Sequence, residues 1–153
     1  NIHKVRETAR KNFYATTFEE LTFEDVADST PKPELFRLAR RVNFGECDYF
    51  VSHSWRDPAP EKWAALQNAR AAFVSAHNRE PVRAGIVAAV SSMLASRSLV
   101  RSLAQVVWFD KVCIPQENIE SMLMCLPVFL SACSRLLVIC GPTYLDRLWC
   151  MME

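Results

Sequence analysis

Glycine is almost absent: there are three in 153 residues, Gly45, Gly85 and Gly141. They lie too far apart to build a phosphate-cradling Walker loop or a G-x-G-x-x-G dinucleotide fingerprint. A P-loop NTPase and a Rossmann dehydrogenase are therefore excluded at motif level. Neither sign of charge dominates, and a net charge of +1 gives no electrostatic reason to expect nucleic acid or an anionic membrane as partner. No apolar run approaches the ~20 residues of a membrane span. The opening NIHKVRETARK is basic and polar, with no apolar segment behind it, so no secretory leader is expected from it. The six cysteines, Cys47, Cys113, Cys125, Cys133, Cys140 and Cys150, include no C-x-x-C pair. Neither a structural zinc site nor a disulfide framework is expected at these spacings. The cysteines read as small buried hydrophobes in a reducing, cytoplasmic setting. There is no internal repeat.

Half of the residues are hydrophobic, which suits one globular domain with a sizeable core. Residues 1–46 read as a helical lead-in or linker. His3 to Phe13 suits a short basic helix, and PELFRLARRV an amphipathic one entered through Pro33-Glu34. The compact part, 47–153, begins with a strand over Tyr49–Ser52. A helix over Glu61–Ala76 follows, with Trp63, Leu66, Phe73 and Val74 at a period near 3.6. The stretch 81–105 looks like an insertion carrying a weak helix near Val87–Ser96. Val106–Asp110 is a second strand. Ile119–Cys133 reads as one helix with Met122, Leu126, Phe129 and Leu130 inward and a kink at Pro127. Leu136–Cys140 has the continuity of a strand buried on both faces. Gly141-Pro142 breaks it, and Leu145, Leu148, Trp149 and Met152 start a last helix.

Apolar strands alternating with helices predict an α/β fold with a parallel, doubly wound sheet. With Asn1 at its start and the last helix barely begun at Glu153, the chain is expected to be a C-terminally truncated fragment. In such sheets ligands gather at the carboxyl ends of the strands. The residues there are Ser52, His53, Ser54, Trp55, Arg56 and Asp57 after the first strand, and Asp110 after the second. Gly141 and Thr143 follow the third, with Trp149 and Glu153 on one face of the next helix. Each has a plainer role as well. Asp57 suits a helix cap, Trp149 a core position, and Arg56 and Glu153 a solvated surface.

Three stretches together carry a resemblance. DYFVSHSWRD is similar to the first box of Toll/interleukin-1 receptor (TIR) domains. SRLLVICGPTYLDRLWCMME resembles the later TIR strand, turn and W-C-x-x-E helix. WFDKVCIPQ resembles both the second TIR strand and a signature of the TIR-related fungal heterokaryon-incompatibility domains, from which Pro115 departs. The resemblance spans Asp48–Glu153. It implies a flavodoxin-like three-layer sandwich, here lacking its last strands and helices, and either of two roles in signalling of an immune type.

One role is NAD⁺ glycohydrolysis, in which the resemblance makes Glu153 the catalytic carboxylate and NAD⁺ the substrate, with no bound cofactor. Breaking the nicotinamide bond expels a neutral leaving group, so no general acid is needed. One carboxylate can hold ribose hydroxyls and stabilise oxocarbenium charge. Trp149 or Trp55 offers an aromatic face, Arg56 a partner for pyrophosphate, and Ser52 and Ser54 donors to ribose or phosphate. The other role is a non-catalytic module that works through homotypic TIR–TIR self-association. A cysteine hydrolase built on Cys113 or Cys150 with His53 is the weakest reading, because apolar surroundings raise thiol pKa.

Overall fold

The computed structural model describes residues 2–27, 29–77 and 105–146. The expected helix within 81–105 and the helix bearing Trp149 and Glu153 lie outside these residues. The chain opens with helix α1 (Ile2–Lys11), strand β1 (Tyr14–Thr17) and helix α2 (Phe23–Ala27). The two-residue strand β2 (Arg40–Arg41) leads to β3 (Cys47–His53) and the long helix α3 (Ala59–His77). After β4 (Val106–Phe109) come α4 (Asp110–Cys113), α5 (Ile119–Leu123), α6 (Leu126–Ala132) and β5 (Cys133–Ile139).

The five strands form one mixed sheet in the order β2-β1-β4-β3-β5. Its centre is parallel as expected: Val51 pairs with Phe109 on one side and Leu137 on the other. The other end is not parallel. β1 runs antiparallel to β4 through Thr16↔Val107, and β2 antiparallel to β1. Both strands lie in the stretch expected to be helical. Of the expected helix PELFRLARRV, only PELFRL winds, as a 3₁₀ turn over Pro33–Leu38, before Arg40-Arg41 becomes extended.

Period-2 alternation sorts the core into two layers. On one face Phe50 stacks on Trp108, centroids 4.4 Å apart, and Trp108 meets Phe129 of α6. Phe13 reaches the same layer by stacking on Phe129. On the other face Tyr49 meets Phe73 of α3 edge-on at 5.7 Å. Helices therefore cover both faces of an α/β sheet. No helix among the described residues is long and apolar enough to cross a membrane.

Two further expectations change. The helix expected over Ile119–Cys133 is two helices, and Pro127 sits in the first turn of the second. A proline there lacks only an N–H that has no intrahelical partner anyway, so it starts a helix instead of kinking one. β5 is not buried on both faces: Leu136 and Val138 are 45% and 44% exposed. Among the described residues β5 pairs only with β3, and no described helix lies over the outer part of that face.

Candidate functional site

Because β3, β4 and β5 are parallel, their carboxyl ends meet at one edge of the sheet. The turn Ser54–Asp57 leaves β3 there, Asp110 and Lys111 open α4 straight after β4, and Gly141–Tyr144 follows β5. Sequence reasoning expected this convergence for Ser52, His53, Ser54, Trp55, Arg56, Asp57, Asp110, Gly141 and Thr143, and the structure brings all nine to that edge. Trp149 and Glu153 lie outside the described residues.

Asp57 ties the first turn to the third. Its Oδ1 accepts from the Thr143 backbone N–H at 2.8 Å and the Thr143 hydroxyl at 2.9 Å. The carboxylate therefore turns to the neighbouring strand end and does not cap α3. Oδ2 has no hydrogen-bond partner among the described residues, although Asp57 is only 5% exposed. Gly141 lies flat against this carboxylate: a Cβ there would overlap Asp57 Cγ and Oδ2. Ser54 and Thr143 share a hydroxyl–hydroxyl bond of 2.7 Å, and Ser52 shares one of the same length with the Tyr144 phenol. Both serines are buried, so their hydroxyls bind the protein before they can bind a ligand.

The second cluster is built on Asp110. Its Oδ2 accepts from Trp55 Nε1 at 2.7 Å, and its Oδ1 from the Lys111 backbone N–H at 2.6 Å. The Trp55 indole is thereby fixed half-buried, with the Lys111 ammonium 5.7 Å from its ring centroid. His53 stacks on Phe109 at 4.4 Å, its Nδ1 3.8 Å from Asp110 Oδ1. That contact is an ion pair only if the imidazole is protonated. Burial holds the His53 pKa below its ordinary value, and the charges of Lys62 and Lys111 oppose protonation further, against the pull of Asp110 and Asp57. Burial therefore favours the neutral imidazole. Arg56 is exposed at the rim.

Sequence reasoning set Lys111 beside Asp110 at the strand end without its burial, and missed the buried Lys62 and Tyr144. Lys62, 2% exposed, donates to the backbone carbonyls of Ser54 and Trp55 at 3.3 and 3.2 Å, pinning the turn after β3. Its signal was present: Lys62, Leu66 and Phe73 fall on one helical stripe, and all three are buried. Lys111 is also 2% exposed, in a sequence position that reads as an ordinary loop cation. Tyr144 could be found only from its contact with Ser52. Cys113 is sealed from solvent at 1% exposure. Its thiol is buried, and burial pushes its pKa well above the ordinary range, the reverse of activation.

The edge thus offers the buried Asp57 and part-buried Asp110 carboxylates, two buried ammonium groups, a buried imidazole and a half-buried indole, with the exposed Arg56 next in the chain. Such a set has the chemistry to meet polar and aromatic groups. Among the described residues no group of three or more His, Cys, Asp or Glu side chains is placed to hold a metal ion. Comparison of the chain with protein-family models, with curated proteins and with solved structures finds no match.

Proposed function

We propose that the chain is a TIR-like module of flavodoxin-like type that cleaves the nicotinamide–ribose bond of NAD⁺ at the carboxyl-end edge, with Glu153 as the catalytic carboxylate. The observation that carries this reading is the meeting of the Ser54–Asp57, Asp110–Lys111 and Gly141–Thr143 segments at a single strand-end edge. The chemistry follows from the groups that are exposed there. Arg56 is available for the diphosphate. The Lys111 ammonium already faces the Trp55 indole and opposes a pyridinium on that ring, so Trp55 suits the uncharged adenine end. The serines and Asp57 hold the turns in place and do not touch substrate. The test is nicotinamide release from NAD⁺ by the wild-type chain, by Glu153→Gln and by Arg56→Ala. Glu153→Gln should lower the rate by roughly 100-fold or more, and Arg56→Ala should chiefly raise KM. An unchanged rate in Glu153→Gln, or no turnover by the wild type at any protein concentration, overturns the reading.

The second reading, a self-associating signalling module without turnover, is favoured by β5. Its outer edge is unpaired among the described residues, with Leu136 and Val138 exposed beside it. Concentration-dependent mass in light scattering, without nicotinamide release, would select it.

A further inference from the structure

At the opposite end of the sheet from the proposed site, Cys47 opens β3 and Cys133 opens β5, and the two are register partners in the parallel ladder. Register partners on adjacent strands project to the same face. Adjacent strands run about 4.8 Å apart, inside the roughly 4.4–6.8 Å between Cα atoms that a disulfide accepts without backbone movement.

Both thiols are free. Cys47 is 1% exposed, its Sγ against the carbonyls of Tyr49 (3.4 Å) and Val106 (3.6 Å). Cys133 is half-buried, with its Sγ 3.3 Å from the Phe129 carbonyl. It lines a groove of about 620 Å³ together with Ile2, Arg6, Phe44 and Ser134. Cys133 is therefore the more accessible of the two cysteines. The neighbouring Cys47 thiol and burial together raise the Cys133 pKa above the ordinary thiol range, which slows its reaction with disulfides; the register pairing and the groove, and not an activated thiolate, carry the site. The other described cysteines lie elsewhere. Cys113 Sγ faces the Val107 carbonyl and the Phe109 amide, Cys125 Sγ the carbonyls of Val5 and Ser121, and Cys140 is exposed past the far end of β5.

We propose that Cys47 and Cys133 are a dithiol site that reacts with low-molecular-weight disulfides and closes to an interstrand disulfide. In the first step the Cys133 thiol gives up its proton and its sulfur attacks one sulfur of RSSR; the S–S bond of RSSR breaks, a mixed disulfide forms, and the RS⁻ released takes up that proton as RSH. In the second, the Cys47 thiolate attacks the Cys133 sulfur, the Cys47–Cys133 bond forms, and a second RSH leaves. The two protein thiols lose two electrons, and RSSR gains them. The bond would clamp the edge strand β5 to the central strand β3.

The test is treatment of the folded chain with glutathione disulfide, followed by thiol trapping and peptide mapping with and without reductant. A linked Cys47–Cys133 peptide, reversed by dithiothreitol, is the expected result. Cys47→Ser should stop at a stable glutathione adduct on Cys133, and Cys113→Ser should leave the link intact. The proposal is overturned if Cys47 stays a free thiol while Cys140 or Cys133 carries glutathione, or if Cys47 links to another cysteine. Should Cys47→Ser fail to fold, the wild-type peptide map still decides.

Discussion

Replacing Gly141 by alanine drives a methyl group into the Asp57 carboxylate. The built Cβ overlaps Cγ and Oδ2 and comes within 2.8 Å of Oδ1. The backbone itself does not object, since the described glycine with a left-handed φ is Gly45, at 86°. The penalty is therefore steric and falls on Asp57. To make room the carboxylate must swing away from the Thr143 N–H and hydroxyl, which it now accepts at 2.8 and 2.9 Å. A hydrogen bond to a charged acceptor is worth about 1.5–3 kcal/mol. Thr143 is half-buried, so water recovers part of that loss. Overpacking that is not relieved costs about 1–3 kcal/mol. The combined expectation is a loss of about 2–4 kcal/mol, read as the shift in urea midpoint at constant m-value. In a domain of this size that corresponds to a fall in Tm of roughly 6–12 °C. The decisive arm is a double-mutant cycle. With Asp57→Ala in place there is no carboxylate to strike, and adding Gly141→Ala should then change stability by less than ~0.5 kcal/mol. A Gly141→Ala variant as stable as wild type, or a penalty that persists without Asp57, would refute the clamp.

Other consequences concern the core and the imidazole. Trp108→Ala should destabilise by about 3–5 kcal/mol in urea unfolding, since it empties the layer between Phe50 and Phe129. Trp108→Phe should lose far less, on the order of 1 kcal/mol, because it also removes an indole N–H without a hydrogen-bond partner among the described residues. His53 has a folded-state pKa below its unfolded value, so the unfolded chain binds its proton first. Its contribution is fully present above about pH 6.5 and declines as pH falls from there towards the folded pKa. The slope is at most about 1.4 kcal/mol per pH unit for one proton. Urea titrations between pH 8 and 5 should show this loss in wild type and a flatter profile in His53→Gln; equal slopes would sink the assignment.

The legible part of the site was its address. Continuous apolar runs marked β3, β4 and β5, the helical period marked α3, and a parallel reading of those strands set Ser54, Asp57, Asp110 and Thr143 at a common edge. What each residue does there was not legible. Asp57 looked like a cap for the helix that follows it, because capping is a local interaction. Its actual partner lies 86 residues away. Lys111 was legible as a strand-end residue beside Asp110, but the carbonyls that Lys62 meets and the indole that Lys111 faces are set by the fold and not by neighbouring sequence. Ser52 and Ser54, read as ligand donors, bind Tyr144 and Thr143 instead.

The sequence by itself determined the local alternation of strand and helix, the α/β class, the parallel centre of the sheet and the strand ends where polar residues collect. These follow from periodicity and from proline and glycine positions, which act over a few residues. Only the tertiary structure decided that β1 and β2 extend the sheet antiparallel, that the outer edge of β5 is unpaired among the described residues, and that Cys47 and Cys133 are neighbours. Strand pairing joins backbone groups far apart in the chain, and a short strand such as YATT carries no mark of its partner. The physical reason is the same for the site: burial and charge pairing belong to the packed molecule, and no residue carries them alone.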